Sequence, residues 1–296
     1  MCDGVTSPLV SIICNTYNHV HYIRQCLDGF LMQKTDFPIE ILVHDDASTD
    51  GTTDVVREYE AKFPHLIKPI YQTENQYSKG VKVSYVYQYF RARGKYMALC
   101  EGDDYWTDPL KLQKQVDFME KNPEYVMCSH CFDVMLQRSG VLEKKESIND
   151  YAYSLKDLVN GIWPAQTLTV LLRSTVLTIN KPFISGDVAL FYFLLKCGPG
   201  MYLKDNMATY RIHDGGVWGG VLGVDRVRGA FDVRLSIYEL ERTDDAAKYI
   251  LSVFKNPIPK GWYIKECKQF VRVLKILLKH FNPLIVLKYV IINYFS

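Results

Sequence analysis

Three carboxylates lie within four residues at Glu101-Gly102-Asp103-Asp104, directly after the apolar run Lys95–Cys100. Side chains this close repel one another unless a cation sits among them. A hard divalent ion, Mn2+ or Mg2+, carrying phosphate oxygens meets that need. The competing reading is a solvated acidic turn that caps the next helix. A second acidic turn, His44-Asp45-Asp46-Ala47-Ser48-Thr49-Asp50-Gly51, closes another apolar run, Ile39–Val43. A polar cluster, Asn15-Thr16-Tyr17-Asn18, closes a third, Leu9–Cys14. Cys128-Ser129-His130-Cys131 has no second ligand pair to complete a zinc site, so core cysteines are the expectation there.

These clusters need elements that bring them together. Leu9–Cys14, Ile39–Val43 and Lys95–Cys100 are short, apolar and bounded by turn residues, as buried parallel strands are. A shorter strand is expected at Ile67–Tyr71. Helical spacing places Ile23, Leu27, Phe30 and Leu31 on one stripe, and Val55, Val56, Tyr59 and Phe63 on another. Val83–Arg93 reads as a helix closed by Gly94, and Asp108-Pro109 starts a helix over Leu110–Lys121. Further strands are expected at Tyr125–Cys131 and Leu168–Leu172, a helix at Val188–Cys197, and mostly helix after Val224. Alternating strand and helix predicts an α/β fold with a mostly parallel, doubly wound central sheet flanked by helices and a helical C-terminal extension. In such sheets ligands bind outside the carboxyl ends of the strands, where two strands here deliver acidic turns. Neither G-x-G-x-x-G nor G-x-x-x-x-G-K-[ST] occurs, so a bound nucleotide diphosphate would need a metal held by carboxylates.

Val10-Ser-Ile-Ile-Cys-Asn-Thr-Tyr-Asn18, His44-Asp-Asp-Ala-Ser-Thr-Asp-Gly-Thr52 and Glu101-Gly-Asp-Asp-Tyr-Trp-Thr-Asp-Pro109 together resemble the family-two inverting glycosyltransferases. The resemblance covers residues 9–135 and extends more weakly to Tyr210-Arg-Ile-His-Asp-Gly-Gly216. It implies a GT-A fold of the nucleotide-diphospho-sugar transferase type, a nucleotide-sugar donor (most often UDP-linked), a divalent metal, Mn2+ or Mg2+, and transfer with inversion. Carried onto this chain, it implies that Thr16, Tyr17 and Asn18 line the donor pocket and that Asp46, supported by Asp45, bonds the uracil. Glu101, Gly102 and Asp103 stand at the family's D-x-D. Asp103 would hold the metal, Glu101 would contact ribose, and Asp104 would support either. Asn15 stands where many members have proline, and Glu101 adds a methylene to the usual first aspartate. Asp187, after Gly186 and opening an apolar helix, matches the family's catalytic base, with an ordinary helix cap as the alternative. His213 would add a metal ligand and Arg211 would offset leaving-group charge, a surface histidine being the alternative for the first. Trp106 and Trp163-Pro164-Ala165-Gln166 are acceptor-side candidates, because sugar rings stack on aromatic faces.

The 296 residues carry a net charge of +2, which gives no case for nucleic-acid binding. That total is a cancellation: Lys255–Ser296 holds eight basic residues and one acidic, so the first 254 carry −5. Lys268, Arg272, Lys275 and Lys279 share one helical face beside an apolar remainder. Such a helix suits an anionic membrane surface, or else packs on its own domain or a partner with the lysines in water. The expected division is a GT-A domain over 1–220, a helical segment over 221–263 and a basic amphipathic tail over 264–296. The expected acceptor is a glycan or lipid-linked glycan. Eight scattered cysteines, no signal-peptide pattern and no apolar stretch of about 18 residues point to a reducing cytoplasm, with the chain peripheral at the inner face of the plasma membrane. The rivals are a sugar nucleotidyltransferase, which should show a glycine- and arginine-rich loop after the first strand, and a non-catalytic nucleotide-sugar-binding protein at the membrane surface.

Overall fold

The computed structural model describes residues 7–146, 149–163, 165–178, 186–216, 223–255, 258 and 266–295. Its sheet is built on β1 (Val10–Thr16), whose β-branched Val10, Ile12 and Ile13 are almost wholly buried. β2 (Ile39–Asp45) and β4 (Tyr96–Leu99) lie parallel on either side of β1, and β3 (Ile67–Tyr71) extends beyond β2. The register sets Thr16 beside Asp45, so β1 and β2 end at the same edge. The chain after β4 reaches that edge too, because Gly102 N–H donates to the Asn15 carbonyl at 2.9 Å. Helices α1 (Ile23–Leu31) and α2 (Thr52–Lys62) follow the first two strands, α1 burying Ile23, Cys26, Leu27 and Phe30 as its spacing predicts.

Beyond β4 the sheet becomes mixed. β5 (Tyr105–Trp106) is only two residues long, and α3 (Lys111–Lys121) follows it. β6 (Met127–Leu136) is flanked by β7 (Val141–Glu143), and β8 (Tyr151–Tyr153) pairs with β10 (Gly200–Ile212). β9 (Leu171–Arg173) is wedged antiparallel between β4 and β6, giving the order β3-β2-β1-β4-β9-β6-β10-β5. This is the mixed α/β sheet with helical flanks and a helical C-terminal region that the sequence indicates. β10 has no counterpart in the sequence reading: its pairing with β6 slips at Leu203/Asn206 and Asn206/Thr209, which breaks the alternation that marks a strand. Val83–Arg93 is not an α-helix either. A π turn over Ser84–Gln88 and a 3₁₀ turn over Tyr89–Arg91 aim Gln88 at the carbonyls of Cys14 and Leu42, and Arg91 at those of Val43 and Lys68. Cys14, Cys26, Cys100, Cys128 and Cys131 are buried free thiols, as core cysteines are.

The chain divides into two units. The first comprises Met1–Ala152, Ala165–Lys181 and Cys197–His213, and the second Tyr153–Pro164, Pro182–Lys196 and Asp214–Ser296. Residues 153–164 and 182–196, expected within the first domain, thus belong with the C-terminal helices. In the second unit, α4 (Leu155–Val159) is closed by a Ser154–Asp157 capping box. α5 (Asp187–Leu195) is apolar all round, and α6 (Gly223–Glu241) and α7 (Asp244–Ser252) complete its core. The helix Cys267–His280 docks here through Val273 and Leu277, with His280 bridging Tyr238 and Asp244. Among the described residues no helix is long and apolar enough to cross a membrane.

Candidate active site

Each loop at the carboxyl edge of β1, β2 and β4 is stiffened by its own polar side chains. Asp45 accepts from Ser48 N–H at 3.2 Å and Ser48 Oγ–H at 2.5 Å, and it also accepts from the Thr53 hydroxyl. These bonds hold the turn in which Ala47 adopts a positive φ of 64°. The two oxygens of Asp46 accept the backbone N–H groups of Gln76 at 2.8 Å and Tyr77 at 2.9 Å. Its carboxylate is therefore already oriented, and it keeps lone pairs for a further donor. Asn18, at a φ of 55°, accepts from Thr49 N–H and gives its own N–H to Ser48. Tyr17 is exposed beside it, whereas Thr16 is buried beneath Gly102. A Cβ at Gly102 would stand 2.7 Å from Thr16 Oγ1, so only glycine fits that crossing. Thr16 Oγ1 and Asn15 Oδ1 are buried with no hydrogen-bond partner.

The acidic loop is tied to a segment 110 residues away. β5 pairs antiparallel with β10, Trp106 opposite Ala208 and Tyr105 opposite Thr209, which brings the end of β10 over Asp103. Asp104 accepts the Arg211 backbone N–H at 2.7 Å. Burial, and then the Asp103 charge, push the Asp104 carboxyl well above its usual range. Arg211 lies between the Tyr22 and Tyr105 rings, 4.8 Å from each centroid. Its guanidinium donates to the Asp103 carbonyl and to the side chains of Gln137 and Gln25. With those donors engaged, Arg211 works as a clamp that fixes the acidic loop.

His213 Nε2 stands 3.0 Å from Asp103 Oδ2, and His19 Nε2 stands 3.7 Å from the same oxygen. One ligand atom from each of the three residues lies within 4.8 Å of the others. Burial tends to raise the Asp103 carboxyl, but the His213 hydrogen bond and the two imidazoles outweigh it and hold the group below its usual value. Burial lowers the His19 pKa, which favours the neutral ring that can act as a ligand. Its Nδ1 is buried without a partner, so no second hydrogen bond fixes which nitrogen carries the proton. Two imidazoles and a carboxylate make a three-donor set that leaves positions open, a chemistry that fits a divalent transition ion such as Mn2+ better than the all-oxygen preference of Mg2+.

Asp103 and His213 are thus brought together as their residue types suggest. His19 was not singled out from the sequence. Its signal is a histidine directly after the polar cluster Asn15–Asn18 that closes the first strand, in a segment that reads as the approach to a helix. Trp106 is not an acceptor platform: it is 2% exposed, gives Nε1–H to the Leu168 carbonyl at 2.9 Å and packs edge-on to Phe30. With Phe30 at 4.7 Å and the Lys111 ammonium 4.0 Å from its centroid, the buried ring has no open face. Glu101 is half-buried, and its carbonyl accepts from the Cys26 and Cys100 thiols. Asp187 belongs to the second unit, where it is the first residue of α5 and accepts the Val188 N–H at 2.7 Å. Gly186 holds the cap position at a φ of 99°, and burial raises the Asp187 carboxyl above its usual range. Trp163 is also in the second unit, half-exposed, with its ring 5.3 Å from Phe191. Pro164, Ser185 and residues 217–220 of the glycine-containing loop lie outside the described residues.

Residues 11–161 match the family described as Glycosyl transferase family 2, just over half of the chain. This protein belongs to that family. A Mycobacterium tuberculosis protein of uncharacterised role is 34% identical over 229 residues, 71% of this chain and 60% of that protein. The chain therefore spans about three fifths of the mycobacterial relative's length. The Escherichia coli protein named UDP-Glc:alpha-D-GlcNAc-diphosphoundecaprenol beta-1,3-glucosyltransferase WfaP is 32% identical over 214 residues, 71% of this chain and 79% of its own length. The crystal structure of S. aureus TarS 1-349 in complex with UDP-GlcNAc superposes with a TM-score of 0.67 at 19% identity, over 92% of this chain and 81% of that one. That likeness establishes the GT-A glycosyltransferase fold.

Proposed function

We propose that this family 2 chain is a metal-dependent inverting glycosyltransferase that moves a sugar from a UDP-linked donor to a hydroxyl of a glycan or lipid-linked glycan during polysaccharide assembly. The observation that carries the reading is the His19–Asp103–His213 cluster at the carboxyl edge of three parallel strands, where α/β sheets bind nucleotides. Those three residues would hold Mn2+, and a bound ion there supplies positive charge to the departing diphosphate. Asp46 orients the uracil, Tyr17 and Asn18 border the nucleoside, and Glu101 faces the ribose. Arg211 and Asp104 keep the acidic loop in place. The resemblance to WfaP, whose name states a UDP-glucose donor and a diphosphoundecaprenol-linked acceptor, supports both the donor and the acceptor class.

In the transfer step the acceptor oxygen attacks the anomeric carbon while its proton passes to Asp187. The bond to the diphosphate oxygen breaks on the opposite face, which inverts the centre. A carboxyl raised by burial is a stronger base than one in water, as this role requires. A sugar nucleotidyltransferase is disfavoured by Asn15–Tyr22, which has no glycine- or arginine-rich phosphate loop.

The basic helix is proposed to rest on an anionic membrane surface. Lys268, Arg272, Lys275 and Lys279 are all exposed, as are Val271, Leu278, Leu284, Ile285 and Leu287 nearby. On this proposal the enzyme works at the cytoplasmic face of the membrane that carries its acceptor. Because Val273 and Leu277 anchor the helix to its own unit, charge reversal is a cleaner test than truncation. Lys268→Glu combined with Lys275→Glu and Lys279→Glu should abolish flotation with anionic liposomes, and unchanged flotation ends the membrane proposal. For the reaction, a panel of nucleotide sugars should show Mn2+-dependent UDP release, with Mn2+-promoted UDP binding lost in Asp103→Asn. UDP binding that survives both chelation and Asp103→Asn overturns the metal-dependent reading.

A further inference from the structure

The second unit contains a pocket of about 330 Å³ between α4 with the loop that follows it, α6 and α7. That size lies at the lower end of small-ligand sites, about 300–1,000 Å³. Leu158, Ile162, Val227 and Val253 give it apolar walls, and Trp163 stands at its margin. Arg226, Ala230 and Arg234 follow one another at four-residue spacing along one face of α6, and all three line the pocket.

Arg234 is the unusual member. Its Nη1 donates to the Ala230 carbonyl at 2.9 Å, and its guanidinium lies 4.3 Å from the Tyr249 ring centroid. Its Nε is buried without a partner, and so is the Tyr249 hydroxyl. Asp187 acts on Arg234 through space, but among the described residues no carboxylate forms an ion pair with it. Burial disfavours the guanidinium's charge, yet arginine does not deprotonate in proteins. A desolvated, permanent cation beside an apolar cavity lacks one component, an anion in hydrogen-bond contact with it.

We propose that this pocket binds the acceptor through an anionic saccharide unit, with phosphate or carboxylate oxygens on Arg234 and the sugar ring against Trp163. The planar guanidinium fork matches either oxyanion in pairs of hydrogen bonds, and the half-exposed tryptophan offers the stacking face. The proposal rests on the glycosyltransferase reading. It places acceptor recognition in the same unit as Asp187, so the group that fixes the acceptor and the group that takes its proton belong to one packed unit. Arg234 is accordingly a specificity residue for the acceptor and not part of donor binding.

The test is titration calorimetry of the whole chain with glucose 1-phosphate, glucuronate, inorganic phosphate and methyl glucoside, and with UDP plus Mn2+ in the same samples. At least one of the two anionic sugars should bind, methyl glucoside and inorganic phosphate should bind far more weakly, and which sugar wins identifies the oxyanion. Arg234→Gln should weaken the anionic sugar about tenfold or more, and Trp163→Ala should weaken it too. UDP binding should persist in both variants. Arg234→Gln should melt close to the parent, because among the described residues no carboxylate forms an ion pair with the charge it removes. Tyr249→Phe, which keeps the ring, serves as a second variant if Arg234→Gln fails to fold, and it should weaken the same ligand less. Equal affinity in Arg234→Gln or Tyr249→Phe, equal binding of methyl glucoside or inorganic phosphate, or no sugar binding at all overturns the proposal. A parent chain that binds the anionic sugar but not UDP would instead overturn the glycosyltransferase reading.

Discussion

The acidic edge of the sheet and the pocket of the helical unit treat buried charge in opposite ways. At the edge, Asp103 has His213 and His19, Asp104 has the Arg211 backbone, and Arg211 has Gln25, Gln137 and the Asp103 carbonyl. In the helical unit, Arg234 Nε and the Tyr249 hydroxyl are buried without partners. Lys111 shows what the first unit does even with a lone cation. Fully buried, it lies 4.0 Å from the Trp106 ring centroid and donates to Gln115 at 2.7 Å, and burial lowers its pKa to about 7. A lysine can shed its charge in this way; an arginine cannot. A charge that is satisfied internally organises the protein, and one that is left unsatisfied selects a ligand.

The largest expected effect breaks the chemistry without touching the edge. Asp187→Asn should lower kcat by about 10²–10⁴-fold while Mn2+-promoted UDP binding is unchanged. Because the Asp187 carboxyl is raised, the acidic limb of the parent's pH–rate profile should lie above the usual carboxylate range, activity increasing as pH rises through it. A limb at the ordinary value, or full activity in the variant, removes Asp187 as the base.

Next comes the clamp. Arg211→Met leaves Gln25, Gln137 and the Asp103 carbonyl unpaired and should cost about 2–4 kcal/mol in denaturant unfolding, with weaker UDP binding. If stability holds while UDP binding falls, Arg211 contacts the donor and the clamp assignment fails.

Glu40 tests the internal-partner rule at the opposite end of β2. Its buried carboxylate accepts from Ser11, Lys68 and Arg93. Burial opposes its ionisation, but those bonds outweigh it and hold the pKa below the usual value. The stability they provide is present above the unfolded-state pKa and is lost as pH falls through the lower folded value. Glu40→Gln should remove about 1.5–3 kcal/mol at neutral pH and flatten that acid limb. An unchanged limb would mean that another carboxylate dominates acid unfolding.

The smallest effect is expected at Lys111. Its folded pKa, about 7, lies below its unfolded value. The unfolded chain therefore binds more protons between the two, and stability from this group rises with pH across that range. Lys111→Met should be neutral or stabilising by about 1 kcal/mol at pH 7 and should abolish that rise. A large loss would show that the ammonium is required by the core.

The parallel strands and the amphipathic α1 were legible because each buries its own repeating pattern over adjacent residues. Asp103 stood out for a similar reason, since three carboxylates in four residues and the motif they resemble lie together in the sequence. β10 was not legible, because two register slips break its alternation and its partners, β5, β6 and β8, lie far away in the chain. The irregular turns at 84–91 were read as helix because side-chain bonds to distant strand carbonyls override local helical preference. Trp163 had only a residue type to recommend it, and the pocket beside it exists only because residues 153–163 fold with helices from the last third of the chain.

What the sequence determined by itself was the family, the strand-loop edge and its acidic residues, all of which depend on short-range order. What tertiary structure alone decided was which groups meet. The pairing of β5 with β10 carries His213 to Asp103 across 110 residues and joins His19 to them. The packing of α6 on α7 places Arg234 against Tyr249. A ligand set depends on distances of a few ångströms between atoms remote in the chain, and local spacing carries no information about those distances.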